Sequence, residues 1–221
     1  MARKEDAERL LKEGHCPAEI AGKMGISVSS VIQYLCTRVG EGSLRLSDIY
    51  FSWPPEKRVD GEGLTIEENK LFKALRRRGV FSGDMYDFVT EAEIAIHTIV
   101  RTILEREFGT EESGWWRKGI PSSIREKCAS RREQDDEPCD SPFAYTTLID
   151  LSTIITKSWP QFQKIIPTEY AANRKQLEND LIRLNGIRNA VMHPVKERKW
   201  TEDDFEFVRS VSHQFKAICP S

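Results

Sequence analysis

Apolar positions recur at three- and four-residue steps along most of the chain, and no segment sustains a period-two alternation. That periodicity predicts an all-α protein. From Glu5 to Lys12 the apolar side is Ala7, Leu10 and Leu11, and Gly14 is a stop signal. In the following stretch, CPAEIAGKMGISVSSVIQYLCTRV, Pro17 suits the first turn of a second helix that points Ile20, Ala21 and Met24 inward. Gly25 can take a left-handed turn, and Ser27 caps a third helix packed through Val28, Val31, Ile32 and Leu35. Two short helices around a tight glycine turn make the helix-turn-helix pattern.

Pro54, Pro55, Gly61 and Gly63 then mark a linker. Thr65 with Glu68 three later is a capping box, opening a connecting helix through Leu71, Phe72 and Leu75 to Gly79 and its basic run Arg76-Arg77-Arg78. This parses the chain into a helix-turn-helix module at 1–53, a linker and connecting helix at 54–82, and a larger helical domain at 83–221.

In that larger domain a long helix is expected from Asp84 to Phe108, with Phe88, Ile96, Ile99, Val100, Ile103 and Leu104 inward. Tyr145 to Trp159 reads as a buried helix stopped by Pro160, followed by a short piece from Phe162 to Ile166. A long helix from about Glu169 to Met192 comes next, and a last one is capped by Thr201 and Asp204. Within the 169–192 helix, Leu177, Leu181, Leu184 and Val191 share one apolar face. Arg188 projects into the middle of that face and therefore needs a carboxylate, such as Asp84 or Glu91, or an anionic ligand. Asn189 and His193 are four apart, one turn from each other on a neighbouring face. Pro194 disfavours helical geometry at His193, which leaves the imidazole at an accessible helix end.

The string LNGIRNAVMHP, from Leu184 to Pro194, resembles the motif of the HEPN superfamily (higher eukaryotes and prokaryotes nucleotide-binding domains), in which an Arg, often followed by a polar residue, precedes a His by a short spacing. With GWWRKGIPSSIREKCASRRE upstream and DLSTIITKSWPQF between, it is similar to the branch containing the HEPN domain of the eukaryotic transcript-surveillance endoribonuclease. The resemblance covers roughly Gly83 to the C terminus. It implies RNA cleavage at a site composed from two facing motifs of a homodimer, leaving a 2′,3′-cyclic phosphate and a 5′-hydroxyl. It also implies a toxin or anti-phage defence setting, with an antitoxin as a partner. The alternative is a catalytically silent HEPN domain that binds nucleotide or RNA and dimerises a helix-turn-helix, DNA-binding regulator.

The residue chemistry fits the first reading. RNA carries its own nucleophile, the 2′-hydroxyl, so cleavage needs proton transfer and charge stabilisation. His193 is a proton acceptor or donor near neutral pH, Arg188 offers a fork of donors to phosphate oxygens, and Asn189 can orient either. These three are the candidate catalytic residues, and no metal or cofactor is expected. Trp115 and Trp116 beside Arg117 and Lys118 are candidates for stacking bases and holding phosphates, although the tryptophans equally suit a core-closing role. Ser29, Ser30, Gln33, Tyr34 and Arg38 are candidates for reading a DNA groove from the third helix; a protein contact is the plainer use of residues 1–53.

Composition narrows this further. The 221 residues carry a net charge of −2 and no strongly basic segment, so any nucleic-acid contact must be a local patch. The mean hydropathy of −0.51 and the lack of a long apolar run argue against a membrane span. Five scattered cysteines read as reduced thiols of a cytoplasmic protein, with a zinc site from His15, Cys16 and Cys36 disfavoured.

Overall fold

Two units divide the chain, Met1–Asp84 and Met85–Ser221, in a computed structural model that describes residues 2–77, 81–193 and 200–220. The described residues are helices joined by turns and loops, with no strand among them. None of the described helices is long and apolar enough to cross a membrane.

The first unit holds α1 (Ala2–Lys12), α2 (Pro17–Met24), α3 (Val28–Gly40), α4 (Leu46–Tyr50), α5 (Pro55–Asp60) and α6 (Ile66–Arg77). Pro17 does open α2, and Gly25 ends it at φ 63°, a left-handed conformation that glycine enters without a Cβ penalty. The Ser27 hydroxyl accepts the Ser30 N–H at 3.1 Å and starts α3. Ile20, Val31 and Leu35 are buried, whereas Val28, Ile32 and Met24 are only half-buried.

The stretch expected as linker and connecting helix is part of this unit. Phe72 and Leu75 of α6 lie in its core with Tyr50 and Trp53, the Tyr50 and Phe72 rings being stacked at 5.3 Å. Glu68, 1% exposed, accepts from the Ala18 N–H at 3.1 Å, the Trp53 indole N–H at 2.9 Å and the Thr65 N–H at 3.0 Å. The capping-box carboxylate thus also ties α2 to the chain before α5. Arg78 and Gly79, the end of the expected basic run, lie outside the described residues.

Most of α7 (Phe81–Phe108) belongs to the second unit, and Gly109 at φ 88° terminates it. A single π-helical turn, Trp115–Gly119, leads to α8 (Ser122–Glu133). A 3-10 turn, Pro142–Tyr145, precedes α9 (Leu148–Lys157). The expected Tyr145–Trp159 helix is therefore shorter, because the Thr147 side chain caps α9 at the Asp150 N–H. Pro160 does not simply stop it, since it sits inside the short α10 (Trp159–Phe162). The expected 169–192 helix is interrupted as well. A one-turn α11 (Thr168–Ala171) precedes α12 (Arg174–Met192), whose start is set by Asn173 accepting the Gln176 N–H at 3.1 Å. The last helix, α13 (Glu202–Ile218), begins with the Thr201–Asp204 capping box. Phe88, Ile96, Val100 and Leu104 of α7 are buried, as are Leu151 and Ile154 of α9, Leu177 and Leu184 of α12, and Phe205 and Val208 of α13.

Candidate active site

The buried face of α12 turns as the helix proceeds. Its buried positions are Leu177, Leu181, Leu184, Ile187 and Ala190. After the first step of four they recur every three residues, and at about 100° per residue each such step falls about 60° short of a full turn. The core face has therefore rotated away from the Leu177 line by the last two turns. Arg188 is not in the middle of the apolar stripe, as its register with Leu177 suggests, but half-buried beside it, and Val191 is half-buried as well.

Arg188 meets neither of the expected carboxylates. Its Nε donates to Oε2 of Glu93 on α7 at 3.5 Å, and its Nη1 to Oδ1 of Asn189 at 3.4 Å. Asp84 instead accepts the Ser47 N–H within the first unit, while Glu91 pairs with Lys216 at 3.2 Å and accepts the Ser212 hydroxyl at 3.2 Å. A second arginine on α12 is paired more closely. Arg183 donates to Asp203 at 2.6 Å and Asp204 at 2.8 Å and stacks over the Phe207 ring at 4.3 Å. Among the described residues Arg188 has one carboxylate, and at a longer distance.

Asn189 and His193 are both exposed. The helix ends between them as the sequence implies: His193 caps α12 with φ −129° and ψ 65°, and its N–H donates to the Asn189 carbonyl at 3.2 Å. Arg188 and Asn189 are thus joined through side chains, and Asn189 and His193 through the main chain. Pro194 lies outside the described residues. Ile182, exposed to 52%, shares the α12 face of Asn189 and His193, and Ile94, exposed to 60%, follows Glu93 on α7.

One row of α7, at four-residue steps, carries Glu93, His97 and Arg101. The His97 ring packs on Phe143 at 4.1 Å between centroids, and its Nε2 lies 2.9 Å from the Phe143 carbonyl oxygen. A carbonyl only accepts, so Nε2 carries the proton. Burial pushes the imidazole below its ordinary range and outweighs the Phe143 carbonyl and Glu93, which favour the cation. His97 is a half-buried rim residue whose surroundings favour the neutral imidazole. Arg101 pairs with Glu105 at 2.8 Å and lies over the Trp115 ring at 5.2 Å.

Trp115 and Trp116, named as base-stacking candidates, are 6% and 5% exposed. Their rings pack edge-on against each other and against Phe143. They close the core, and their faces are not open to a base. A Cβ on Gly114 would stand 2.1 Å from the Phe108 carbonyl oxygen, so the turn is pressed against the end of α7 at a place only glycine fits. Arg117 and Lys118, on the same turn, are exposed and remain available to phosphates.

The DNA-reading candidates of the first unit are partly committed. Ser29 and Gln33 are exposed, but Tyr34 packs partly buried against the core. Ser30 shares a hydrogen bond with the Ser27 hydroxyl at 2.9 Å, and Arg38 is ion-paired with Glu8 and Glu41. His15 lies 3.6 Å from Glu19, Cys16 is buried and Cys36 exposed. Among the described residues no group of three or more His, Cys, Asp or Glu is placed to hold a metal ion.

No family model, curated protein or solved structure matches this chain. The residue beside the candidate site that sequence reasoning missed is Glu93. It lies 95 positions from Arg188, and nothing in the local pattern separates it from its neighbour Glu91.

Proposed function

We propose that the second unit is an endoribonuclease of the HEPN type, cutting RNA without a metal ion at a site shared by two copies of the chain. The observation that carries this reading is the lightly paired Arg188. Its guanidinium has one carboxylate at 3.5 Å and an amide oxygen at 3.4 Å, beside an exposed Asn189 and an exposed His193. That set suits a phosphodiester. His193 takes the 2′-hydroxyl proton, O2′ forms a bond to phosphorus, and the bond from phosphorus to O5′ breaks. Arg188 stabilises the charge on the phosphorane oxygens as it develops, and Asn189 orients the phosphate.

The leaving O5′ needs a proton, and each protomer supplies one motif histidine. A two-fold partner brings a second His193 to the same cleft, and exposed Ile94 and Ile182 beside the motif suit such a contact. Arg117 and Lys118 extend the phosphate-binding surface. The α2–α3 pair serves as a helix-turn-helix partner module, with protein favoured over DNA because Arg38 is neutralised by two carboxylates. Toxin or defence use, held in check by an antitoxin, follows from the family resemblance.

The test incubates the full chain with single-stranded RNA and tRNA in excess EDTA, beside Arg188→Ala and His193→Ala. Cleavage by wild type alone, leaving 2′,3′-cyclic phosphate ends, is the expected result. A folded dimer that binds RNA or nucleotide without cutting it establishes the silent domain instead.

A further inference from the structure

We infer that Glu93 is a positioning residue for the motif arginine, holding the Nε edge of Arg188 so that the outer fork of the guanidinium faces the scissile phosphate. This rests on the ribonuclease reading of the site and adds a residue that the Arg-His motif does not contain. A guanidinium is planar and offers its five N–H donors in a fixed geometry. Fixing one edge therefore aims the rest. Glu93 takes Nε and Asn189 takes Nη1, while Nη2 has no hydrogen-bond partner among the described residues. With Nε on Glu93, a bidentate grip on phosphate oxygens uses the outer Nη pair, the neutral Asn189 oxygen giving way at Nη1 to a charge-assisted bond.

Glu93 is suited to this by its own anchorage. It stands in the middle of the 28-residue α7, between Ala92 and the buried pair Ala95 and Ile96, which are at most 3% exposed. Its backbone is thus fixed by the core while its side chain, 26% exposed, reaches the rim. The contrast with Arg183 gives the arrangement its direction. There, two carboxylates act on Nη2 itself, occupying the atom a phosphate would use. At Arg188 the carboxylate sits on Nε at 3.5 Å, so it orients the side chain without occupying Nη2.

The experiment compares the full-length wild type with Glu93→Ala, Glu93→Gln and Arg188→Ala, measuring kcat and KM on single-stranded RNA in EDTA. It also records the Arg188 Nε–H cross-peak in 15N-labelled protein, assigned by its loss in Arg188→Ala. Glu93→Ala is expected to lower kcat on the order of 10- to 100-fold, as for a catalytic group left misplaced, with KM little changed. Glu93→Gln restores most of it, since an amide oxygen accepts the Nε–H without charge. The cross-peak moves in Glu93→Ala. Wild-type kcat or a raised kcat in Glu93→Ala, with Arg188→Ala inactive, overturns the inference and leaves the ribonuclease standing. If no protein cleaves, the ribonuclease reading falls and the inference falls with it. In a cleaving protein, a cross-peak indifferent to Glu93→Ala overturns the inference and leaves the ribonuclease standing.

Discussion

The indole N–H of Trp53 donates to the Glu68 carboxylate at 2.9 Å, and both residues are 1% exposed. The same carboxylate receives the backbone N–H groups of Ala18 and Thr65 and the Thr65 hydroxyl, so its removal takes the acceptor from four donors, of which the indole is fully buried. A buried donor left without a partner costs about 1–3 kcal/mol. Glu68→Ala is expected to destabilise the first unit by about 1–3 kcal/mol through the buried indole alone, and Glu68→Gln by less, because one oxygen still accepts. Urea unfolding of the full chain, following the first unit's transition, measures both.

The Trp115–Gly119 turn separates stability from binding within five residues. Trp116→Ala empties a core site and is expected to cost about 3–5 kcal/mol. Replacing exposed Arg117 and Lys118 by Ala leaves stability within about 0.5 kcal/mol. It also weakens RNA binding and flattens its salt dependence by about 0.7 in log–log slope per lost phosphate contact. Fluorescence polarisation across a salt series checks the second half. An unchanged slope in the double variant removes these two side chains from the RNA surface.

Acid sensitivity in the second unit has an identifiable source in His97. Its imidazole sits below the ordinary range in the folded chain, burial being the dominant cause. The unfolded chain therefore binds a proton that the folded chain refuses, and stability falls as pH drops through the ordinary imidazole range near 6.5. His97→Gln, which keeps a donor for the Phe143 carbonyl, removes that contribution. Denaturation midpoints taken between about pH 7.5 and 5.5 should fall more steeply for wild type than for the variant.

Local chemistry was legible in the sequence, and geometry between distant elements was not. The caps at Ser27, Thr65 and Thr201 and the left-handed Gly25 each depend on a few consecutive residues, and the structure has them all. The break at Asn173 and the shortened α9 arise from capping side chains, Asn173 and Thr147, set inside apolar periodicity that reads as continuous. The surroundings of Arg188 were misread for a related reason. A few apolar positions extrapolate to a straight stripe, whereas Ile187 and Ala190 turn it. The Glu93 partner comes from a helix in another part of the chain, and only tertiary packing chooses it over Glu91. Trp beside Arg and Lys looks the same in a composition whether the rings face solvent or core. What decides is Phe143, brought up from the 3-10 turn to fill the space beside both indoles.

The hydrogen bond from the His193 N–H to the Asn189 carbonyl belongs to the main chain, so the spacing of these two residues does not rest on a contact between their side chains. Shape and chemistry are inherited separately here. On the ribonuclease reading proposed above, a single substitution at position 188 or 193 removes the cutting chemistry and leaves the helix that carries it in place.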